Sequence, residues 1–84
     1  MSARPRDVQP GLGVLESGRL LGRLTPRELW LRYLGLGGDA TVTQVEHYLE
    51  ETQAPNRREY NLLVDAVNER LMDVGLFPRL AYAT

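Results

Sequence analysis

Hydrophobic side chains recur every three or four residues along the second half of the chain, which is the spacing of one helix face. The longest pattern follows Asn56, a favoured helix N-cap residue, and Glu59 stands where it completes a capping box. Gly75 then favours the left-handed conformation that ends a helix, and Pro78 prevents the helix from continuing. The pattern predicts a helix over residues 57–74, with an apolar stripe of Tyr60, Leu63, Val64, Val67, Leu71 and Val74.

A shorter helix is predicted before this one, over residues 26–34. Thr25 and Glu28 have the spacing of a capping box, and Pro26 suits the first helical position because its missing N–H would have no partner there. The glycines that begin at Gly35 end the helix, since glycine readily adopts the left-handed conformation of a helix end.

A third helix is predicted over residues 42–53. Either Thr41 with Gln44 or Thr43 with Glu46 forms its capping box. One face is mainly apolar, and no segment of the chain shows the sustained alternation that is typical of a strand. The sequence therefore predicts the all-α class, with a small three-helix domain over residues 25–80.

The residues before this domain form two segments of different composition. Residues 1–10 contain too few apolar side chains to offset the entropy of ordering, so we expect a flexible arm. Residues 11–24 contain five Leu but also four Gly, a composition that disfavours a stable helix. Two interpretations stay open: a short hairpin that turns at Ser17-Gly18, or an irregular apolar strap across the helices.

Composition excludes several kinds of chemistry. The chain has 84 residues, no Cys and no Lys, and all ten basic residues are Arg. Disulfides, thiolate catalysis, Cys-ligated metals and lysine Schiff bases are therefore excluded. Because Lys and Ile have AT-rich codons and both are absent, the composition indicates a high-GC genome. We expect a cytoplasmic protein without membrane contact, because we find neither a membrane-length apolar run nor a secretory signal.

Candidate catalytic residues are few. His47 is the one histidine, and Glu51 stands one helical turn later at the spacing of a surface pair. Catalysis by these two residues is the least favoured of three functional interpretations; the other two are a protein-interaction module and a DNA-binding protein. The acidic residues near His47 lie on one exposed helix face without facing ligands from another element, which argues against a metal site. The glycines after residue 34 follow a helix rather than a strand, which argues against a phosphate-binding loop. We expect no enzyme, cofactor, metal or small-molecule substrate.

Surplus apolar surface favours a non-catalytic protein-interaction module, such as a small regulator, adaptor or assembly subunit, which binds a protein partner or self-associates. The expected contact residues are Leu15, Leu20, Leu21, Leu62, Ala66 and Met72, with Arg19 and Arg23 at the rim. The net charge of −1 divides into +3 for residues 1–38 and −4 for residues 39–84. Opposite charges favour docking, either of the arm onto the helix predicted over residues 42–53 or of one molecule onto another, although an ordinary solvated surface explains the division equally well.

The alternative is a helix-turn-helix DNA-binding regulator that acts as a dimer. Arg57, Arg58 and Asn61 would then lie at the start of the recognition helix. The turn before that helix is longer than usual, Asp65 and Glu69 would repel phosphate, and the chain is slightly acidic. These features disfavour DNA binding without excluding it.

Overall fold

The computed structural model describes residues 13–84 and confirms the all-α class. Its four helices are α1 (Val14–Leu21), α2 (Pro26–Gly35), α3 (Val42–Glu50) and α4 (Arg57–Asp73). No strand occurs in this part of the chain. The arm predicted for residues 1–10 and the first two residues of the predicted strap lie outside the described residues.

The segment predicted as a hairpin or an irregular strap forms helix α1, so the bundle has four helices rather than three. Gly13 is the N-cap, with a φ of 84°, and Gly22 is the C-cap, so these two glycines lie at the helix boundaries. The interior Gly18 faces α4, where a Cβ would lie 2.8 Å from Cγ1 of Val67. The close packing at Gly18 offsets the free-energy cost of a glycine inside a helix. The local sequence pattern does not reveal this contact.

The predicted helix starts are correct, but one predicted capping box is incomplete. The boxes at Thr25 and Thr41 are fully formed, and the second of them uses Gln44. Asn56 Oδ1 accepts a hydrogen bond from the Glu59 N–H at 2.8 Å. The Glu59 carboxylate does not complete that box, because it bonds to side chains instead of the N-cap backbone.

All four helices end in the same hydrogen-bond arrangement, the Schellman motif. Its left-handed position is occupied by Gly37 in α2 and Gly75 in α4, but by Arg23 (φ 56°) after α1 and Glu51 (φ 62°) after α3. Helix α3 therefore ends at Glu50 and not at residue 53, because Glu51 leaves the helical conformation.

Helix α4 is the longest of the four helices. It packs against α1 and α2, and α3 packs against the same two helices. The largest fully buried side chains come from three of the helices and are Leu29, Tyr33, Val45, Leu63, Val64, Val67 and Leu71. Residues 76–84, which we call the return segment, follow α4 and place Leu76 and Leu80 against this core. Within residues 13–84, no helix has both the length and the apolar composition required to cross a bilayer.

Candidate interaction surfaces

Large apolar side chains are exposed at the C-terminal ends of α1 and α4 and in the turn after α4. These two helix ends lie near each other, as shown by the hydrogen bond that Arg70 Nε donates to the Gly22 carbonyl at 2.7 Å. Phe77 is 92% exposed and Met72 is 63% exposed. We call this surface the apolar end, and it consists of Leu20, Leu21, Met72, Val74 and Phe77.

Two predicted contact residues belong to the core instead. Leu15 is 5% exposed and Ala66 is fully buried, so neither is available to a partner. Leu15 and Leu20 are five positions apart on a helix, which turns them to different faces. Ala66 is buried because α4 packs against two helices and therefore has a broad buried face. Leu62 is half-buried against the same core.

The two predicted rim arginines differ in their environments. Arg19 Nε donates to Glu16 at 2.9 Å, and its Nη1 donates to the Leu24 carbonyl at 2.8 Å. These bonds hold the Arg19 side chain against the end of α1. Arg23 is exposed and adopts a left-handed conformation. Of the eight predicted contact residues, Leu20, Leu21, Met72 and Arg23 are the exposed ones.

The three residues of the DNA-binding alternative are bonded within the chain. Arg57 Nη1 donates to the Thr84 carbonyl at 3.0 Å. Arg58 Nη2 donates to the Gly37 carbonyl at 2.9 Å, and its Nη1 donates to Glu59 at 2.7 Å. Asn61 bonds to the backbone of Ala83. The return segment thus bonds to Arg57 and Asn61, whereas Arg58 bonds to the loop after α2 and to its neighbour Glu59.

Sequence reasoning missed the polar face of α4 that holds the return segment. Asn61 and Asn68 bond to its backbone, and between them Asp65 accepts a hydrogen bond from the Tyr82 hydroxyl. Asparagine is unfavourable inside a helix because its side chain competes for backbone hydrogen bonds. Two asparagines in the interior of α4 were therefore a signal that this face bonds to another segment.

A buried polar network joins the loop after α2 to α4. The Tyr33 hydroxyl donates to Glu59 Oε1 and accepts from the N–H groups of Asp39 at 3.1 Å and Ala40 at 2.8 Å. Burial, assisted by the bond to Glu59, raises the pKa of Tyr33 to about 12. Gly38 packs on the ring so closely that a Cβ there would lie 2.2 Å from a ring carbon. This network fixes the position of the loop.

His47 lies at the end of α3 and takes part in local contacts. Its Nδ1 lies 2.8 Å from Thr52 Oγ1 and 4.0 Å from a carboxylate oxygen of Glu50. The partner is therefore Glu50 and not Glu51, which begins the turn after the helix. Among the residues that the structure describes, no group of three or more His, Cys, Asp or Glu side chains has the arrangement of a metal site.

A groove of about 280 Å³ lies between α1, α3 and the loop that leads to α4. Two tyrosines and two leucines contribute much of its lining, and two carboxylates lie among them; these six residues are Leu15, Glu16, Tyr48, Leu49, Glu51 and Tyr60.

Comparison with known proteins yields no relative of this chain. No family model, curated protein or solved structure matches it.

Proposed function

We propose that this chain is a non-catalytic helical protein-interaction module, acting as a small regulator, adaptor or assembly subunit. The observation that carries the proposal is the apolar end, where five large hydrophobic side chains are exposed on two neighbouring helices and the turn that follows them. Exposed apolar side chains gathered at one place are typical of sites where proteins bind one another.

The energetics support an apolar end that is covered in the bound state. Burying one large hydrophobic side chain contributes about 1.5–3 kcal/mol. Phe77 has nearly its whole surface available for such burial, and Met72 has more than half. Association opposes this gain with a cost of about 4–15 kcal/mol, so several of these side chains must be buried together. The partner is therefore a protein with a continuous apolar surface.

A binding experiment tests the proposal directly. Tagged wild-type chain and a Met72→Asp/Phe77→Asp variant are compared by quantitative affinity capture from the native cell extract. We expect the bound proteins to be depleted at least roughly tenfold with the variant, because a charge at a buried contact remains unsolvated. Leu31→Asp is the matched control, since Leu31 is an exposed leucine on α2 outside the apolar end.

Two measurements complete that experiment. Thermal unfolding of each variant checks that the substitutions leave the fold intact, which we expect because all three side chains are exposed. Candidate partners are then purified and titrated against wild type and variants. Equal binding by wild type and the double variant would contradict the proposal.

A further inference from the structure

The return segment contacts α4 as a bound extended peptide would. Asn68 Nδ2 donates to the Leu80 carbonyl at 3.1 Å, and Asn68 Oδ1 accepts from the Leu80 N–H at 2.8 Å. Asn61 makes the same pair of bonds with Ala83, at 3.3 and 2.7 Å. Each asparagine thus binds both backbone groups of one residue, and these bonds do not depend on that residue's side chain.

The spacing of the two asparagines matches the spacing of an extended chain. Asn61 and Asn68 are seven residues apart, which corresponds to about 10.5 Å along a helix. Leu80 and Ala83 are three residues apart, which corresponds to about 10 Å in an extended segment. Both pairs of bonds can therefore form at once when the segment runs antiparallel to α4.

An apolar socket accompanies these polar contacts. A Cβ on Gly18 would lie 2.9 Å from Leu80 Cδ1 and 2.8 Å from Val67 Cγ1, so Leu80 occupies space that the glycine leaves between α1 and α4. We call Gly18, Val67, Asn61 and Asn68 the segment site. It combines backbone recognition with one side-chain pocket, as sites for extended peptides commonly do.

A short hinge connects α4 to the part of the return segment that binds to it. The hinge consists of residues 74–78 and includes Gly75, with a φ of 77°, and Pro78. Val74 and Phe77 are exposed in it, and Met72 is exposed one turn beyond Asn68 on the same face of α4. Short hinges of this kind favour the exchange of an element between identical chains. The exposed side chains at the hinge are those that a second hinge beside it would cover.

We propose that the segment site accepts residues 79–84, the part of the return segment beyond the hinge, from a second copy of this chain, so that two copies exchange these residues and form a symmetric dimer. Every bond from Asn61 and Asn68 is then reproduced between the copies, and the two hinges lie side by side. This inference goes beyond the proposed function, because it requires no other protein. The single chain with its segment bound to itself is the competing state, favoured by the high effective concentration of a tethered ligand.

Complementary variants test the exchange. Leu80→Asp damages the segment and leaves the segment site intact, whereas Asn61→Ala/Asn68→Ala damages the site and leaves the segment intact. When the two variants are mixed in equal amounts, we expect a species of twice the monomer mass. That species contains one intact segment on one intact site. Its formation should exceed self-association of either variant alone by at least roughly tenfold, measured by sedimentation and native mass spectrometry.

The matched control mixes Leu80→Asp with a chain that carries all three substitutions, and it should remain monomeric because no intact segment is present. A mixture of the complementary variants that is as monomeric as this control would overturn the proposal. The experiment contains no outside protein and keeps Leu20, Leu21 and Phe77 unchanged, so its result is independent of whether the apolar end binds a partner.

A second measurement uses the wild-type fold and does not depend on the stability of the variants. Because the chain contains no Cys, Thr84→Cys supplies a single labelling position on an exposed residue. Donor-labelled and acceptor-labelled chains are mixed at increasing concentration. Energy transfer that grows with concentration and with incubation time supports exchange, and its absence up to millimolar concentration would contradict it.

Discussion

Tyr33 is the residue at which most of the buried polar bonding converges, since one oxygen atom donates to Glu59 and accepts from two backbone N–H groups. The ring itself is fully buried under Gly38. Because the bonds to Glu59 and to the Ala40 N–H are buried, losing the hydroxyl leaves buried polar groups without partners. The loop between α2 and α3 therefore depends on a single side chain.

Replacing Tyr33 by Phe should lower the free energy of unfolding by about 2–4 kcal/mol, because two N–H groups and a carboxylate oxygen lose their partner. Urea denaturation measures this change. Tyr82→Phe is the control: it also removes a hydroxyl bonded to a carboxylate, but Tyr82 is exposed, and we expect a change below about 1 kcal/mol. Equal effects of the two substitutions would disprove the importance of burial.

The pKa of Tyr33 makes stability depend on pH in the alkaline range. The folded pKa is about 12, above the ordinary value of 10.0, so the folded protein retains a proton that the unfolded chain loses. Stability from this group is complete below pH 10 and is lost as the pH rises toward 12. Across that range, wild type should lose roughly 2–3 kcal/mol more than Tyr33→Phe, as measured by urea denaturation at each pH. Parallel losses would contradict this assignment.

Glu51 occupies a left-handed position that costs a residue with a Cβ about 1–2 kcal/mol. Glu51→Gly should therefore raise the free energy of unfolding by about 0.5–1 kcal/mol, after the larger entropy of glycine in the unfolded chain is subtracted. Glu50→Gly is the matched control, because Glu50 is the last helical residue and should lose about the same amount. Destabilisation by both substitutions would show that the strain at Glu51 is absent.

At the scale of the elements, α1 packs closely against α4 at Gly18, which has no side chain and so leaves room for Val67. Gly18→Ala raises helix propensity by about 1 kcal/mol but places a methyl group 2.8 Å from Val67. Overpacking of this kind costs about 1–3 kcal/mol, so we expect net destabilisation of about 1 kcal/mol by thermal unfolding. Ser17→Ala, at the exposed neighbouring position, is the control and should not destabilise. A more stable Gly18→Ala protein would refute the packing argument.

The same helix marks the limit of what the sequence could predict about the elements. The starts of α2, α3 and α4 were predictable because capping residues and hydrophobic spacing act over a few neighbouring residues. Helix α1 was not predictable, because its interior glycine packs against Val67, which lies far away along the chain. Leu80 contacts the same glycine from the other end of the chain. Local propensity does not contain these contacts.

For the candidate surfaces, the sequence identified part of the apolar end. Leu20, Leu21 and Met72 are exposed, whereas Leu15 and Ala66 are buried. Ala66 is buried because two helices pack against α4, which therefore has more than one buried stripe. Leu15 is buried because it lies on the side of α1 that packs in the core. The two asparagines inside α4 signal a bonded face, but the segment that they bind could not be predicted, because their partners are 22 and 12 residues away.

Considered as a whole molecule, the bundle extends beyond the predicted domain of residues 25–80, because α1 and the return segment share its core. The return segment packs against that core through Leu76 and Leu80. Opening it exposes the backbone without unfolding the four helices, so it should behave as a separate unit of local stability.

Limited proteolysis measures that local stability, because trypsin cleaves after Arg79, directly before Leu80. Asn68→Ala removes both bonds to Leu80 and should accelerate this cleavage roughly tenfold, since the two bonds together contribute about 1–2 kcal/mol. Gln53→Ala, in the loop between α3 and α4, is the control and should leave the rate unchanged. A rate that Asn68→Ala leaves unaltered would show that the asparagine does not hold the segment.

The seven-residue interval between Asn61 and Asn68 also limits how far such a contact can extend. Seven residues turn an ideal α-helix about 20° short of two full revolutions, so successive binding positions drift sideways around the helix. A third asparagine at the same interval would fall at position 75, where Gly75 has already left the helix. A straight segment can therefore bind α4 at two positions of this interval, and it would have to coil around the helix to reach a third. The contact between α4 and residues 80–83 is about as long as an uncoiled segment allows.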